Sequence, residues 1–272
     1  MRDHRQKPGG RAASGQGWHT EALSSVLQGH VNLAHSAILL DVDGTLLDIA
    51  STPDAVKVPA SLIETLAKVR DATGGAVALI SGRPLAELDR IFVPLSLAVI
   101  GGHGAEVRLE ARGGRDERQA DPIEDNLRQR LVNIGKVTPG VLVEDKNYAI
   151  ALHYRLAPDV ERVLYKEVAD ICAHTTQQGL HVLQGKSVIE VKSSHFNKGT
   201  AVRDLMAHSP FKGRRPIFIG DDVTDEDVFP VLPEFGGIGL PVGRAMEGVA
   251  QAFASPGDVR AWLANLVERK RA

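Results

Sequence analysis

The stretch "ILLDVDGTLLDIA", Ile38 to Ala50, runs from apolar residues into two carboxylates one residue apart, then a glycine and a hydroxyl. A strand that only fills a core has no use for Asp41 and Asp43. In an open α/β sheet, ligands collect beyond the carboxyl ends of the strands, and Asp41 falls at such an end. A carboxylate there can attack phosphorus and form an aspartyl-phosphate. A second carboxylate two residues on can protonate the departing oxygen, then deprotonate the water that clears the intermediate. Gly44 permits a sharp turn with close backbone approach, and Thr45 adds a hydroxyl. The other reading of Asp-x-Asp-Gly is a plain turn, where those residues are common.

Two carboxylates do not hold a phosphate dianion unaided. A cation is required, and Mg²⁺ suits a site of carboxylates, waters and a substrate phosphate. The chain offers a partner cluster in "PIFIGDDVTDEDVF", where another apolar run ends in Asp221-Asp222, followed by Asp225, Glu226 and Asp227. If the two runs are neighbouring parallel strands, Asp41 and Asp221 converge on one point. Capping of a following helix accounts for some of Asp225, Glu226 and Asp227. In "LISGRP" a third apolar run ends in Ser81-Gly82. The Ser81 hydroxyl and the Gly82 N–H can bind phosphate oxygens; Ser81 as an ordinary helix cap is the rival reading. Lys198 in "FNKGTAVRDLM" can neutralise a transferring phosphoryl group or stand solvated at a helix start. "NKGT" lacks the upstream glycine and spacing of a P-loop.

The elements that must position these residues alternate. "AILLD" (37–41), "AVALIS" (76–81), "LAVIGG" (97–102) and "PIFIGD" (216–221) read as buried parallel strands. Between the first two, Leu62, Leu66 and Val69 form one helical stripe, and Val259, Trp262, Leu263 and Leu266 form another late in the chain. Strand–helix alternation implies a doubly wound sheet. The middle differs. "GVLVEDKNYAIALHYR" (140–155) reads as a hairpin turning at Lys146-Asn147, and "LHVLQGKSVIEVK" (180–192) as another turning at Gly185-Lys186. A helix between them carries Val160, Val163, Leu164, Val168 and Ile171 on one face. This makes a small α+β unit inserted into the outer α/β domain, preceded by "LEARGGRDERQADP", read as an exposed turn or linker.

The bulk properties bound the function. With 272 residues, 43% hydrophobic, 24% charged and a net charge of -2, the chain has no broad electrostatic footprint for nucleic acid or anionic lipid. No apolar run is long enough for a bilayer, and no signal-peptide core follows the first basic residues. Cys172 is the one cysteine, expected as a small buried apolar group; it fits a reducing, cytoplasmic compartment. Residues 1–17 read as flexible from composition.

The joint order, Asp-x-Asp-Gly-Thr, Ser after a strand, Lys, then strand-Gly-Asp-Asp, resembles the haloacid dehalogenase (HAD) superfamily of aspartate-nucleophile phosphatases. "SGRP", "GGHGAE", "VEDKNYAIALHYR", "GKSVIEVK…NKG" and "GDDVTDE" are together similar to the trehalose-6-phosphate phosphatases. The resemblance runs from about Ala37 to the end. It implies a Rossmann-like HAD core (36–107 and 195–272) with an inserted α+β cap of the C2 type (108–194), after an extension (1–35). It implies Asp41 as nucleophile and Asp43 as general acid/base. Mg²⁺ would be held by Asp41, the Asp43 carbonyl and Asp221, with Asp222 beside them. Ser81 and Lys198 would hold the phosphate.

On the same likeness Thr45, Gly82, Arg83 and His103 stand on the substrate side, and Glu144, Lys146, Lys186 and Glu190 grip sugar hydroxyls. His153 is read as structural. Lys186 has a second reading, a solubilising lysine on an exposed turn. The implied substrate is trehalose 6-phosphate, with functional coupling to a trehalose-phosphate synthase. The alternative is another sugar phosphate, such as sucrose or mannosylglycerate phosphate. The chain departs from the family at "SSHF" (193–196), where proline and glycine are common, and at Asp48.

Overall fold

The computed structural model describes residues 25–28, 30–50, 56–109, 117–185, 187–245 and 252–269. In chain order the strands are β1 (Ser36–Asp41), β2 (Val77–Ile80), β3 (Ala98–Gly101), β4 (Glu106–Arg108), β5 (Glu117–Gln119), β6 (Leu142–Asp145), β7 (Ala149–His153), β8 (Leu180–Gly185), β9 (Val188–Ser193), β10 (Arg215–Gly220) and β11 (Ile238–Pro241). The α-helices are α1 (Ala60–Ala72), α2 (Leu85–Phe92), α3 (Asp125–Val137), α4 (Glu161–Ala173), α5 (Lys198–Met206) and α6 (Pro256–Arg269).

A seven-stranded sheet has the order β11-β10-β1-β2-β3-β4-β5. Its first five strands are parallel, and β4 and β5 continue it antiparallel. β1 is buried throughout, so its side chains alternate between two cores. Ile38 and Leu40 join Leu62, Leu66 and Val69 of α1 with Trp262, Leu263 and Leu266 of α6. Ala37 and Leu39 face Val202, Leu205 and Met206 of α5 across the other side. Helices on both faces of a parallel sheet make the doubly wound core expected from the sequence. β10 lies on one side of β1 and β2 on the other, which brings the ends of all three strands to one edge.

The second sheet is antiparallel, in the order β6-β7-β9-β8. The two hairpins therefore join through β7 and β9 into one surface. Val143, Ile150, Leu152, Ile189 and Val191 fill one face, under Leu127 and Leu131 of α3 and Leu164 and Val168 of α4. By the two-residue period of a strand, the opposite face carries Glu144, Ala151 and Glu190 directly across from one another.

Two expectations change, and one helix is new. Val163 is exposed: one residue before Leu164, it falls about 100° round α4, off the stripe that meets the sheet. The stretch read as a linker carries β5, which pairs with β4 through Val107↔Arg118. The helix α3 corresponds to no apolar pattern singled out in the sequence. Cys172 is half-buried beside this second core, and burial raises its thiol pKa. Val26 and Leu33 are buried in the first core, so the described part of residues 1–35 packs on the body; residues 1–17 lie outside the described ones.

Candidate active site

Each of three adjacent strands delivers a polar group as it ends. Asp41 closes β1, Ser81 follows β2, and Asp221 follows β10. Register does the positioning, since Leu40 pairs with Ile219 and Asp41 with Ile80. One carboxylate oxygen each from Asp41, Asp221 and Asp225 lies within 4.8 Å of the others. Gly44 has φ +87°, and a Cβ there would fall inside the Asp221 carboxylate, so the turn after Asp43 requires glycine twice over. The Thr45 hydroxyl donates to Asp221 Oδ1 at 3.3 Å.

Lys198 is the first residue of α5, whose start is fixed by a reciprocal cap: Asn197 Oδ1 accepts from Thr200 N at 2.7 Å, and Asn197 N donates to Thr200 Oγ1 at 3.1 Å. From there Nζ donates to Asp41 Oδ1 and to Asp225 Oδ1, each at 2.7 Å. Burial, then the charges of Asp225 and Asp221, hold the Asp41 pKa well above the usual carboxylate range against the pull of Lys198. Burial opposes the charge on Lys198, but Asp225 and Asp41 outweigh it and raise its pKa. The cluster thus holds concentrated negative charge around one ammonium, away from bulk water. It is a place for a divalent cation and a phosphate.

Asp43 stands at the rim. Arg83 grips it with two parallel bonds, Nε to Oδ2 at 2.6 Å and Nη2 to Oδ1 at 2.8 Å, and also holds Glu87. Ser81 is buried and its hydroxyl accepts from Arg83 N at 3.1 Å.

The polar face of the second sheet meets this edge. Lys146 Nζ donates to Glu190 Oε1 at 3.0 Å and reaches the Gly82 carbonyl at 3.3 Å. Glu190 Oε2 also lies 3.3 Å from His103 Nε2, and Glu144 Oε2 lies 2.9 Å from His153 Nε2. Burial drives the His103 pKa down to about 3. Burial works against the charge on Glu190, yet Lys146 and His103 outweigh it and take its pKa to about 2. For Glu144 burial is likewise outweighed, by His153 and Lys146, and its pKa falls. The face is a strip of fixed donors and acceptors that suits a polyhydroxylated ligand.

A family model described as trehalose-phosphatase matches residues 39–254. The chain belongs to the trehalose-phosphatase family. It is 41% identical over 213 residues to the probable trehalose-phosphate phosphatase of Sinorhizobium fredii, covering 78% of this chain and 79% of that one. It is 37% identical over 230 residues to the trehalose-6-phosphate phosphatase of Escherichia coli, covering 85% and 86%. The C-terminal domain of the Candida albicans trehalose-6-phosphate phosphatase superposes with a TM-score of 0.77 at 25% identity, covering 90% and 96%. Membership makes this chain a phosphoric monoester hydrolase, and its fold is shared with a phosphatase of the HAD superfamily from Bacteroides thetaiotaomicron, which superposes with a TM-score of 0.54 at 20% identity, covering 84% of this chain and 93% of that one.

Set against this family, the sequence expectations divide. Asp41, Asp221 and Lys198 come together, with Thr45 beside them. Asp222 is not in the cluster; its side chain accepts from Val223 N and caps the turn at Val223–Asp227. Asp225 takes the inner position instead, its Oδ2 accepting from Asp222 N at 2.9 Å. Sequence reasoning left Asp225 among the capping acids. The spacing that makes it a cap partner, three residues after Asp222, is also what turns it inward. Arg83, expected on the substrate side, lies on Asp43. Lys146 lies in the turn between β6 and β7, as expected, and there forms an ion pair with Glu190. Lys186 lies outside the described residues. Asp48 pairs with Arg260 at the surface. Arg155, not singled out beforehand, donates to the Ala50 carbonyl at 3.2 Å and links the second sheet to the loop after Asp43.

Proposed function

We propose that this phosphatase hydrolyses trehalose 6-phosphate to trehalose and phosphate, with Asp41 as nucleophile. The observation that carries the reading is the cluster of Asp41, Asp221 and Asp225, two of which, Asp41 and Asp225, accept from the buried Lys198 ammonium, beside the polar face of the second sheet. Residues 36–107 and 195–272 then act as the catalytic core, with 108–194 as the cap that closes over it.

In the first displacement the Asp41 carboxylate attacks phosphorus while the bond from phosphorus to the sugar oxygen breaks. Asp43 gives its proton to that oxygen and trehalose leaves. In the second, Asp43 takes a proton from water, whose oxygen attacks phosphorus as the bond to Asp41 breaks. In this structure Arg83 occupies both oxygens of Asp43, so Asp43 must leave that pair to carry the proton it gives and takes. Lys198 donates two protons to Asp41 and Asp225, and its third is available for a phosphate oxygen. Ser81 and the Gly82 N–H line the same edge.

The hard oxygen donors fit Mg²⁺, with Asp41, Asp221 and the Asp43 carbonyl as the groups that would hold it. Asp225 spends its two oxygens on Lys198 and the Asp222 N–H. When bound, the ion supplies the positive charge that offsets the phosphate dianion. Glu144, Lys146, Glu190 and His103 provide the hydrogen bonds for sugar hydroxyls.

The test is phosphate release from trehalose 6-phosphate with Mg²⁺ and with chelator, beside sucrose 6-phosphate and mannosylglycerate phosphate. Release confined to trehalose 6-phosphate and abolished by chelator is expected. Comparable turnover of the three sugars would overturn the assignment.

A further inference from the structure

Lys192 ends the polar face of β9, two residues after Glu190 and on the same side of the sheet. It is 3% exposed, a level at which lysine is rare without a carboxylate partner. Here its ammonium meets carbonyls: Phe196 O at 3.1 Å and His103 O at 3.5 Å, with Nζ 4.8 Å from the centre of the Phe196 ring. The Phe196 ring packs in turn edge-on against Tyr148. Burial lowers the Lys192 pKa, the cost of placing this charge here.

Such a cost is retained where the position matters, and three elements meet at this ammonium. The chain leaves the second sheet at Ser193 and reaches Lys198 within five residues, with no proline to stiffen it. Lys192 bonds the carbonyl at the far end of that link and so folds it back on itself. The His103 carbonyl belongs to the turn whose ring faces Glu190, and His103 holds a left-handed φ of 54°. Behind that turn, Gly104 packs so closely on the Asn197 carbonyl that a Cβ would not fit. One side chain therefore ties together the sugar-facing Glu190 strand, the His103 turn and the segment leading to Lys198.

We propose that Lys192 is a positioning residue, whose ammonium clasps the link between the second sheet and α5 and thereby sets Glu190 and His103 in register with Lys198 and Asp41. It deepens the trehalose 6-phosphate reading and rests on it for the identity of the gripped sugar. The clasp matters for a substrate held at both ends, phosphate on Lys198 and sugar on Glu190. A small aryl phosphate, held by the phosphate alone, is indifferent to it.

The experiment compares wild type, Lys192→Met and Lys192→Arg on trehalose 6-phosphate and p-nitrophenyl phosphate, with thermal melting as the control for folding. Lys192→Met keeps the stem and removes the charge. Its kcat/KM for the sugar phosphate is expected to fall at least tenfold relative to that for the aryl phosphate, mostly through KM, and Lys192→Arg is expected to restore most of it. An unchanged ratio, or equal losses on both substrates, would overturn the proposal. If Lys192→Met does not fold, Lys192→Gln carries the same ratio test. If wild type favours another sugar phosphate, the substrate assignment fails while the ratio, read with that sugar, still decides the clasp.

Discussion

Lys198 and Asp225 stand 27 positions apart in the chain and 2.7 Å apart in the fold, both sealed from solvent. Asp225 Oδ1 accepts from the ammonium while Oδ2 accepts from the Asp222 N–H, so one carboxylate fixes both the lysine and the loop that presents Asp221. Removing one partner of a buried ion pair costs about 3–5 kcal/mol, because the other is left uncompensated. Asp225→Ala should lose stability on that scale in urea unfolding, with kcat down by roughly 10²-fold through a misplaced donor. Asp225→Asn keeps an acceptor for Lys198 and should lose less of both. An Asp225→Ala enzyme with native kcat would separate Lys198 from the chemistry.

Asp41 behaves in the opposite way. Burial and its acidic neighbours raise its pKa, which means that the fold resists its ionised form in the absence of a bound cation. Asp41→Asn should abolish turnover and leave the metal-free protein at least as stable as wild type, a trade of stability for reactivity. Thermal melting in chelator and phosphate release in Mg²⁺ check the two halves. Retained turnover would remove Asp41 as nucleophile.

Gly44 offers a test of the cation-holding geometry without touching a charge. Alanine at φ +87° is strained, and its Cβ enters the space of the Asp221 carboxylate. Gly44→Ala should cost about 1–3 kcal/mol of stability. It should also raise the Mg²⁺ concentration needed for half-maximal turnover by tenfold or more, as Asp221 is pushed aside. Unchanged Mg²⁺ dependence would argue that Asp221 takes no part in holding the ion.

Much of this site was legible because strands announce themselves. "AILLD" and "PIFIGD" are apolar runs that stop at acids, and a parallel sheet must bring such ends to a common edge. Asp41, Asp221 and Ser81 were readable on those grounds, and Lys198, at a helix start, only from the joint order of the motifs. Asp225 was not, since its burial depends on a tight turn that composition does not distinguish from an ordinary acidic helix start. Arg83 on Asp43 and Lys192 on two carbonyls were illegible for a related reason: a long charged side chain reveals its partner only when the fold supplies one. Val163 misled because it lies next to Leu164 in the chain yet about 100° round α4 from it, on the side turned from the sheet. β5 hid inside a charged stretch because an edge strand needs little apolar character.

His103 gives the protein a pH dependence whose sign can be worked out. Burial lowers its pKa from 6.5 to about 3 in the fold, so between those values the unfolded chain carries a proton that the native one does not. Stability from this residue is full above pH 6.5 and falls as the pH drops toward 3, by up to about 1.4 kcal/mol per pH unit. Glu190, at about 2 in the fold against 4.5, adds its loss only below pH 4.5. The raised pKa of Asp41 works the other way, gaining stability as the pH falls, so the contribution is best read in Asp41→Asn protein. There, urea unfolding between pH 6.5 and 4.5 should show stability declining with acid. Adding His103→Asn, which tolerates the left-handed backbone and does not titrate, should flatten the profile by about one proton. A profile equally steep with His103→Asn would place the proton uptake elsewhere and leave the ring facing Glu190 with no part in the acid sensitivity.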